Sequence, residues 1–157
     1  MQFTIRKTEL GRGVFAKRLI RKGTVITAMS GTERTWEEVE RLIKIGKVRV
    51  DDPFQIAEDD FVLLDHVPRL FNHSCEPNAG INRARSLVAL RNIRAGEEIC
   101  YDYSTTVCTH STWTLRCKCE SRVCRKKIGN VLTIPRVLRV RYQRTGVLPR
   151  FIVKEMQ

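Results

Sequence analysis

The sequence predicts a mainly β fold with few helices, and two features of its pattern lead to this prediction. Apolar and β-branched residues occur in short runs, and glycine-containing turns separate these runs. With 157 residues the chain is long enough for one domain, or for one domain with a small module appended. A hydrophobic content of 42% is sufficient for a core.

The first predicted strands lie before residue 35. Phe3–Arg6 alternates as a short strand, and Gly11–Gly13 is predicted as a turn. A second turn at Arg21–Gly23 leads into the β-rich run Thr24–Thr27, which Gly31 is predicted to end.

One helix is predicted in this part of the chain, over residues 36–45. Thr35 and Glu38 form a capping box, in which each side chain satisfies an otherwise unpaired amide. Apolar residues recur at helical spacing from Trp36 onward, and Gly46 is a suitable stop. We expect Trp36 to lie in the core rather than to form a platform for a ligand.

Further strands follow the helix. The runs with a strand pattern are Phe54–Ile56, Phe61–Leu64 and Ser86–Leu90. Arg94–Glu98 is a turn that leads into another predicted strand, Ile99–Tyr103, in which Tyr101 and Tyr103 face the same side. Ile134–Tyr142 fits a strand or a weak helix equally.

The net charge of +12 is concentrated at the C-terminal end. Residues 1–115 contain 17 Lys or Arg and 15 Asp or Glu, whereas residues 116–157 contain 12 and 2. A basic segment of this kind favours acidic partners, and nucleic acid above all. Without a motif that reads bases, it supports only non-specific binding. The alternative is a solvated surface that partly balances thiolates at a metal site.

A membrane span needs about 18 consecutive apolar residues, and no run in the sequence approaches this length. The sequence also shows no apolar signal-peptide region at its beginning. We therefore expect the protein to work where it is made. That compartment is the cytoplasm, with nucleoid association, for a bacterial chain and the nucleus for a eukaryotic one. In such reducing compartments the six cysteines indicate thiols or metal ligands rather than disulfides.

Three cysteines near the C-terminus have the spacing of a metal site. Cys117, Cys119 and Cys124 form C-x-C-x4-C, which suits wrapping around one ion better than disulfide pairing. Structural zinc takes four ligands, so one is missing. The candidates for the fourth ligand are Cys75, Cys100, Cys108 and His110.

The stretch Arg69–Asn78 concentrates polar groups in ten residues: Asn72 and His73, then Cys75, then the turn Glu76-Pro77-Asn78. Its apolar flanks indicate a half-buried loop. We interpret it as a functional loop, because function concentrates on loops. An ordinary polar turn between two strands is the alternative.

Four motifs occur in order along the chain. They are Gly11-Arg12-Gly13-Val14-Phe15, Arg69-Leu70-Phe71-Asn72-His73-Ser74-Cys75-Glu76-Pro77-Asn78, Gly96-Glu97-Glu98-Ile99-Cys100-Tyr101-Asp102-Tyr103 and the cysteine tail. Together they resemble a SET-domain protein lysine methyltransferase with a post-SET zinc module. The short chain resembles compact stand-alone members of the family, such as bacterial ones.

The resemblance implies a fold and a division of the chain. The fold is the β-clip of small curved sheets, in which the Asn72–Asn78 loop and the Tyr101–Tyr103 segment pass each other as a pseudoknot. Residues 1–106 would form the SET domain. Residues 107–157 would form the post-SET zinc-binding segment and the basic tail.

The resemblance also implies two sets of binding residues. S-adenosylmethionine (SAM) would be bound by Leu10, Gly11, Arg12, Gly13, Asn72 and His73, with Leu115 packing on the adenine. A structural zinc ion would be bound by Cys75, Cys117, Cys119 and Cys124, so Cys75 would be the missing ligand.

Two tyrosines fall on the family's catalytic positions. Tyr103 matches the catalytic tyrosine, and Tyr101 matches the position that tunes how many methyl groups are added; a tyrosine there resembles mono- or dimethylating members. The chain departs from the family at two places where tyrosine is frequent, since it has Met29-Ser30 and Phe54. These changes remove hydroxyl groups from the lysine channel that the resemblance implies.

The resulting hypothesis is a SAM-dependent protein-lysine N-methyltransferase, favouring mono- or dimethylation. The basic tail suggests a histone-like, nucleoid or ribosomal protein as substrate. The alternative is a non-catalytic, zinc-stapled SET-like module that binds nucleic acid or protein through its basic tail.

Overall fold

The computed structural model describes residues 2–9 and 11–157, and within them it consists of small sheets with three α-helices. Leu10, one of the expected cofactor contacts, lies outside the described residues. The strands are β1 (Phe3–Thr8), β2 (Gly11–Ala16), β3 (Val25–Ala28), β4 (Gly31–Thr35), β5 (Pro53–Gln55), β6 (Asp60–Leu64), β7 (Ala79–Ile81), β8 (Ser86–Ala89), β9 (Leu115–Arg116) and β10 (Lys127–Ile128). The helices are α1 (Trp36–Lys44), α2 (Arg136–Arg144) and α3 (Arg150–Glu155).

The strands form four small antiparallel sheets. β1 pairs with β2 and β9 pairs with β10, while the two three-stranded sheets have the orders β3-β8-β7 and β4-β6-β5. The predicted mainly β fold with few helices is thus confirmed. No helix of the described residues is long and apolar enough to cross a membrane.

The core follows this division. One buried cluster lies among the β1–β8 sheets and includes Val14, Phe71, Leu87 and Ile99. A second joins Cys108 to the apolar faces of α2 and α3, and a third surrounds Cys75 and Cys117. The second and third clusters contain residues from both sides of residue 107, such as Val88 and Cys75, so the predicted division of the chain at this residue stays a prediction.

Glycines at two places in the chain play roles other than those predicted. Gly11–Gly13 is not a turn but the start of β2, and Gly31 starts β4 instead of ending β3. At Gly31 a Cβ would overlap the carbonyl oxygen of Leu63 on β6, so glycine permits the close pairing of β4 with β6.

The predicted strand Ile99–Tyr103 is also wrong. Tyr101 forms only an isolated parallel bridge with His73: its N–H donates to Asn72 O (3.2 Å), and its carbonyl accepts from Ser74 N–H (3.1 Å). The Asp102 side chain then accepts from Ser104 N–H and starts a 3₁₀ turn at Tyr103–Thr106. Two non-adjacent segments therefore meet through side-chain and isolated backbone hydrogen bonds rather than through a sheet.

Helix α1 begins as predicted, because Thr35 and Glu38 form the capping box. The expectation for Trp36 is wrong: this residue is 44% exposed and packs on Phe61, with ring centroids 5.3 Å apart. Val39 is the buried residue of the helix. The undecided segment at 134–142 is largely helical, since α2 covers Arg136–Arg144.

Candidate active site and metal centre

Tyr101 and Tyr103 lie side by side, with ring centroids 4.9 Å apart. The Tyr103 hydroxyl donates a hydrogen bond to the carbonyl oxygen of Phe71 (2.9 Å), which fixes its position. Burial is the main reason that the pKa of Tyr103 and that of Tyr101 are raised. Both phenols therefore keep their protons at neutral pH and act as hydrogen-bonding groups, not as bases.

The two tyrosines line a cavity of about 460 Å³. Aromatic side chains contribute much of its wall: Trp36, Phe54, Phe61, Phe71, Tyr101, Tyr103 and Trp113. Phe54, which stands where a family tyrosine is frequent, is only 5% exposed. An aromatic cavity of this kind suits the aliphatic stem of a long side chain.

The same cavity carries acidic groups, although the chain as a whole is basic. Its acidic lining residues are Asp51, Asp52, Glu58 and Asp59. Asp52 is paired with Arg69 (3.3 Å), and Asp51 accepts a hydrogen bond from Trp113 Nε1 (2.9 Å). Sequence reasoning did not identify this acidic lining: the four residues lie within positions 51–59, but no local signal indicated that they would face an aromatic cavity.

The beginning of β2 lies against the Asn72 loop. Asn72 Nδ2 donates to Arg12 O (3.1 Å) and to Glu98 Oε1 (2.7 Å). A Cβ at Gly13 would overlap the Glu98 carboxylate, so a larger residue here would have to displace this side chain from Asn72. The structure thus brings together Arg12, Gly13 and Asn72, three of the expected cofactor contacts.

Glu98 was not among the expected site residues. Its place in the Gly-Glu-Glu motif is the sequence feature that could have identified it. Asn78 reinforces the same junction: its side chain donates to Glu98 O (2.7 Å) and accepts from Cys100 N–H (3.0 Å). Asn78 is buried, and these two bonds satisfy both ends of its amide. The Asn72–Asn78 loop is therefore held against residues 98–101 along its length.

His73 has its side chain in a different place from Asn72. Its Nδ1 accepts the backbone N–H of Tyr103 (3.2 Å), and its Nε2 lies 3.3 Å from Cys75 Sγ. Burial, with a contribution from the charge of Arg125, lowers the pKa of His73 to about 3, so the ring is neutral. Since Nδ1 accepts a hydrogen bond, the single proton lies on Nε2 and points towards the Cys75 sulfur.

Four side chains have donor atoms that all lie within 4.8 Å of one another: His73, Cys75, Cys117 and Cys119. Cys75 Sγ and Cys117 Sγ are 3.7 Å apart. Two thiolates bound to one tetrahedral zinc ion lie about 3.8 Å apart, because each Zn–S bond is about 2.3 Å. The predicted link between Cys75 and the cysteine tail is thus present in the geometry.

The fourth ligand is either His73 or Cys124, and hydrogen bonding favours the cysteine. His73 Nε2 carries the proton and has no lone pair for a metal, since Nδ1 is occupied by Tyr103 N–H. Cys124 packs against the same cluster and lies within hydrogen-bonding reach of Cys117. The four donors that lie within 4.8 Å of one another include His73 and not Cys124, so Cys124 as the fourth ligand stays a prediction, which the hydrogen bonding of His73 favours.

Backbone amides also point at these sulfurs. N–H groups lie 3.4 Å from each of the sulfurs of Cys75, Cys117, Cys119 and Cys124. Burial raises the pKa of Cys119, but the hydrogen bonds from Cys75 N–H and Ser121 outweigh it and lower this pKa to about 6. Such donors stabilise thiolate, the form that binds zinc, whereas burial raises the pKa of Cys75 and that of Cys117.

Arg125 joins the cysteine cluster to the tyrosine segment, residues 101–103. Sequence reasoning did not identify this role. Its Nε donates to Cys75 Sγ (3.3 Å), and its Nη2 donates to Asp102 Oδ1 (2.6 Å). Asp102 lies between the two tyrosines and is buried, which raises its pKa against the opposing effect of Arg125. The position of Arg125, directly after Cys124, was the only sequence signal.

Leu115 lies in β9 and packs in the hydrophobic cluster that contains Cys75, Cys117 and Ile128. Tyr103 contacts both this cluster and the main core, so it lies at the junction of the two. Leu115 is thus near the cysteines and Tyr103, and its expected contact with adenine stays a prediction.

The fold and these motifs define the class of the protein. The sequence profile of the SET domain family matches residues 11–104, and the chain therefore belongs to this family. The methyltransferase domain of human histone-lysine N-methyltransferase SETMAR, a solved structure, has the same fold. It superposes with a TM-score of 0.67 at 24% identity, over 82% of this chain and 58% of that one.

Curated relatives carry methyltransferase names. The probable histone-lysine N-methyltransferase set-23 of Caenorhabditis elegans is 32% identical over 136 residues, which are 74% of this chain and 54% of the relative. Human histone-lysine N-methyltransferase 2B is 31% identical over 128 residues, 74% of this chain but 5% of that protein. The chain spans about half the length of set-23 and a small part of the larger relatives.

The role of Arg125 yields a stability prediction. Arg125→Lys keeps the positive charge but cannot reach both Cys75 and Asp102, so a buried partner loses its hydrogen bond. We expect the free energy of unfolding of the zinc-loaded protein to fall by about 2 kcal/mol in urea titrations. The control is Arg122→Lys at an exposed site of the same segment, which we expect to change it by less than about 0.5 kcal/mol. Equal effects of the two substitutions would contradict this role.

Proposed function

We propose that the protein is a SAM-dependent protein-lysine N-methyltransferase. The observation that carries the proposal is the Tyr103 hydroxyl, which is fixed on Phe71 O within an aromatic, acid-lined cavity. The family and the names of its relatives support the same activity. Because the chain covers only part of those relatives, the activity is proposed from its own site as well.

The first requirement of this reaction is a cofactor site, and the β2–Asn72 junction fits it. SAM, when bound, supplies an electrophilic methyl group on a positively charged sulfur. Gly11, Arg12 and Gly13 offer a backbone edge, and the Asn72 amide and Glu98 carboxylate fix the neighbouring loop. We propose that this edge, Asn72 and the His73 backbone hold the cofactor, with Leu10 and Leu115 as further contacts.

The second requirement is a deprotonated, correctly oriented lysine amine. A free lysine has a pKa of about 10.4, and burial against Tyr101 and Tyr103 would lower it. Asp51, Glu58 and Asp59 are exposed and would act on the solvent side of the cavity. Tyr103 uses its proton on Phe71 O, so its hydroxyl oxygen keeps lone pairs that can accept an amine N–H. Tyr103 would thereby direct the lone pair of the amine without acting as a base or a nucleophile.

Tyr101 would limit how many methyl groups the amine can carry. Its ring is 6% exposed and lies against Tyr103, so a methylated amine would compete with it for space. We propose mono- or dimethylation as the product state. Phe54 and Met29-Ser30, which replace frequent family tyrosines, provide fewer hydroxyl groups around the amine.

The acidic lining of the cavity suggests the substrate class. A lysine flanked by basic residues would meet Asp51, Glu58 and Asp59, whereas an acidic segment would be repelled. A histone-like, nucleoid or ribosomal protein meets this requirement. The names of the relatives include histone-lysine N-methyltransferases, one of them H3 lysine-4 specific, from Cryptococcus neoformans.

The zinc ion would have a structural role in this scheme. Four thiolates complete its tetrahedron, so no position stays open for a substrate. By holding Cys75, it would fix the loop that also contains Asn72 and His73.

The basic tail supports an accessory contact with nucleic acid. α2 contains arginines at 136, 139, 141 and 144 and no acidic residue, and Arg136, Arg141 and Arg144 are exposed. This surface could hold the enzyme near a nucleic-acid-bound substrate through non-specific, salt-sensitive binding. Chromatin, or the bacterial nucleoid, would be the matching location.

The catalytic proposal predicts different effects for two matched substitutions. Tyr103→Phe removes the orienting hydroxyl, and we expect kcat for methyl transfer from labelled SAM to a lysine peptide to fall by about 10- to 100-fold. Tyr101→Phe removes a hydroxyl group and thereby makes space beside the amine. We expect this variant to retain activity and to shift the products towards higher methylation, measured by mass spectrometry.

Equal rates for wild type and Tyr103→Phe would exclude Tyr103 from the mechanism. If wild type neither binds SAM nor labels any lysine protein, but binds DNA or RNA in a salt-sensitive way, the protein is instead a non-catalytic zinc-stapled module.

The acidic cavity predicts a charge-dependent KM. We expect the double variant Asp51→Asn/Asp59→Asn to raise KM for a basic lysine peptide by about 3- to 10-fold at low salt, with less effect at high salt. Asp60→Asn is the control, because Asp60 is exposed nearby but does not line the cavity. An unchanged KM in the double variant would contradict acidic recognition of the substrate.

A further inference from the structure

A second group of metal-binding side chains lies apart from the four-cysteine site. Cys108, His110 and Glu155 each place one donor atom within 4.8 Å of the other two. Cys108 Sγ and His110 Nε2 are 3.4 Å apart. The sequence offered Cys108 and His110 as candidates for the fourth ligand of the first site. In the structure Cys75 lies at that site, and Cys108 and His110 lie next to each other.

The backbone holds Cys108 and His110 on the same side of a tight turn. Ser111 N–H donates to Cys108 O (3.2 Å), which closes the turn. The Asn130 side chain donates to both Thr109 O (2.9 Å) and Ser111 O (3.0 Å), and Gln55 Oε1 accepts Cys108 N–H (2.9 Å). The two donor side chains are thus arranged in advance by contacts that involve neither of them.

Glu155 brings the third donor from the end of α3. Its Oε2 accepts the N–H of Thr109 (2.8 Å), the residue between Cys108 and His110. An ionised carboxylate can accept several hydrogen bonds or metal bonds, so this contact leaves capacity for an ion. Cys108 itself is 4% exposed and packs with Val131, Ile134 and Ile152, which shields one side of the group.

The distances and the chemistry of the donors agree with one metal in particular. A thiolate sulfur and an imidazole nitrogen on the same tetrahedral zinc ion lie about 3.5 Å apart, from Zn–S and Zn–N bonds of about 2.3 and 2.0 Å. Cysteine and histidine together disfavour Mg²⁺ and Ca²⁺, which prefer oxygen ligands. A thiolate and a carboxylate would also neutralise the two charges of Zn²⁺. A thiol–imidazole hydrogen bond accounts for the Cys108–His110 distance, and the Thr109 N–H accounts for the position of Glu155; the convergence of all three donor atoms within 4.8 Å is the observation that favours an ion.

We propose that Cys108, His110 and Glu155 bind a second zinc ion. Three protein ligands leave one position of the tetrahedron for water. Cys108 and His110 also line the aromatic cavity, whereas Glu155 belongs to α3. The ion therefore links the C-terminal helix to the wall of the cavity.

Metal content tests the proposal without reference to activity. The full-length protein, equilibrated in a buffer of fixed micromolar free Zn²⁺ and separated from excess metal, is analysed by elemental mass spectrometry. We expect two zinc ions per wild-type chain, and one in His110→Ala and in Glu155→Gln. His66→Ala is the matched control, because His66 is exposed like His110 but belongs to neither group, and it should retain two.

One zinc ion per wild-type chain, or the same content in His110→Ala as in wild type, would overturn the proposal. Cobalt gives an independent readout in protein whose four-cysteine site is already filled with zinc. Added Co²⁺ should produce a thiolate-to-cobalt absorption band in wild type and His66→Ala. Cys108→Ser should lack that band; if it keeps the band, Cys108 is not a ligand.

Discussion

The site depends most on one buried ring, the imidazole of His73. Its Nδ1 accepts the N–H of Tyr103, while its protonated Nε2 points towards Cys75 Sγ. The ring is neutral because burial makes its charged form unfavourable. Through these two contacts the loop that starts at Asn72 meets both the tyrosine segment and the cysteine tail. Asn78 makes a further connection, to Glu98 and Cys100. Arg125 makes another, to Asp102.

Negative and positive charges lie on two different surfaces of the protein. The cavity beside Tyr103 is lined by carboxylates, whereas the exposed face of α2 carries arginines. A basic peptide would be attracted by the first surface and a nucleic acid by the second, so the two need not compete. Inside the protein, Arg125 places a positive charge between the Cys75 sulfur and Asp102. A chain with a net charge of +12 can thus contain an acidic cavity.

Local patterns predicted the features that depend on neighbouring residues. The Thr35–Glu38 capping box and strand β6 were found because a few adjacent side chains determine them. Features set by distant contacts were missed. Gly31 starts a strand because of Leu63 on β6, and Ile99–Tyr103 forms no strand because its partner is the Asn72 loop. Trp36 has core-like chemistry, but no local signal indicated that its ring would line a cavity.

The most direct test of this account is the affinity for SAM with and without zinc, measured by calorimetry. We expect zinc removal and Cys75→Ser each to weaken SAM binding by about tenfold or more, because the Asn72–His73 loop loses its support. Cys100→Ser, at a cysteine outside the predicted zinc ligands, should bind SAM as wild type does. Circular dichroism should confirm that the proteins compared remain folded. Equal SAM affinity in folded protein with and without zinc would contradict the claim that this loop joins the two sites.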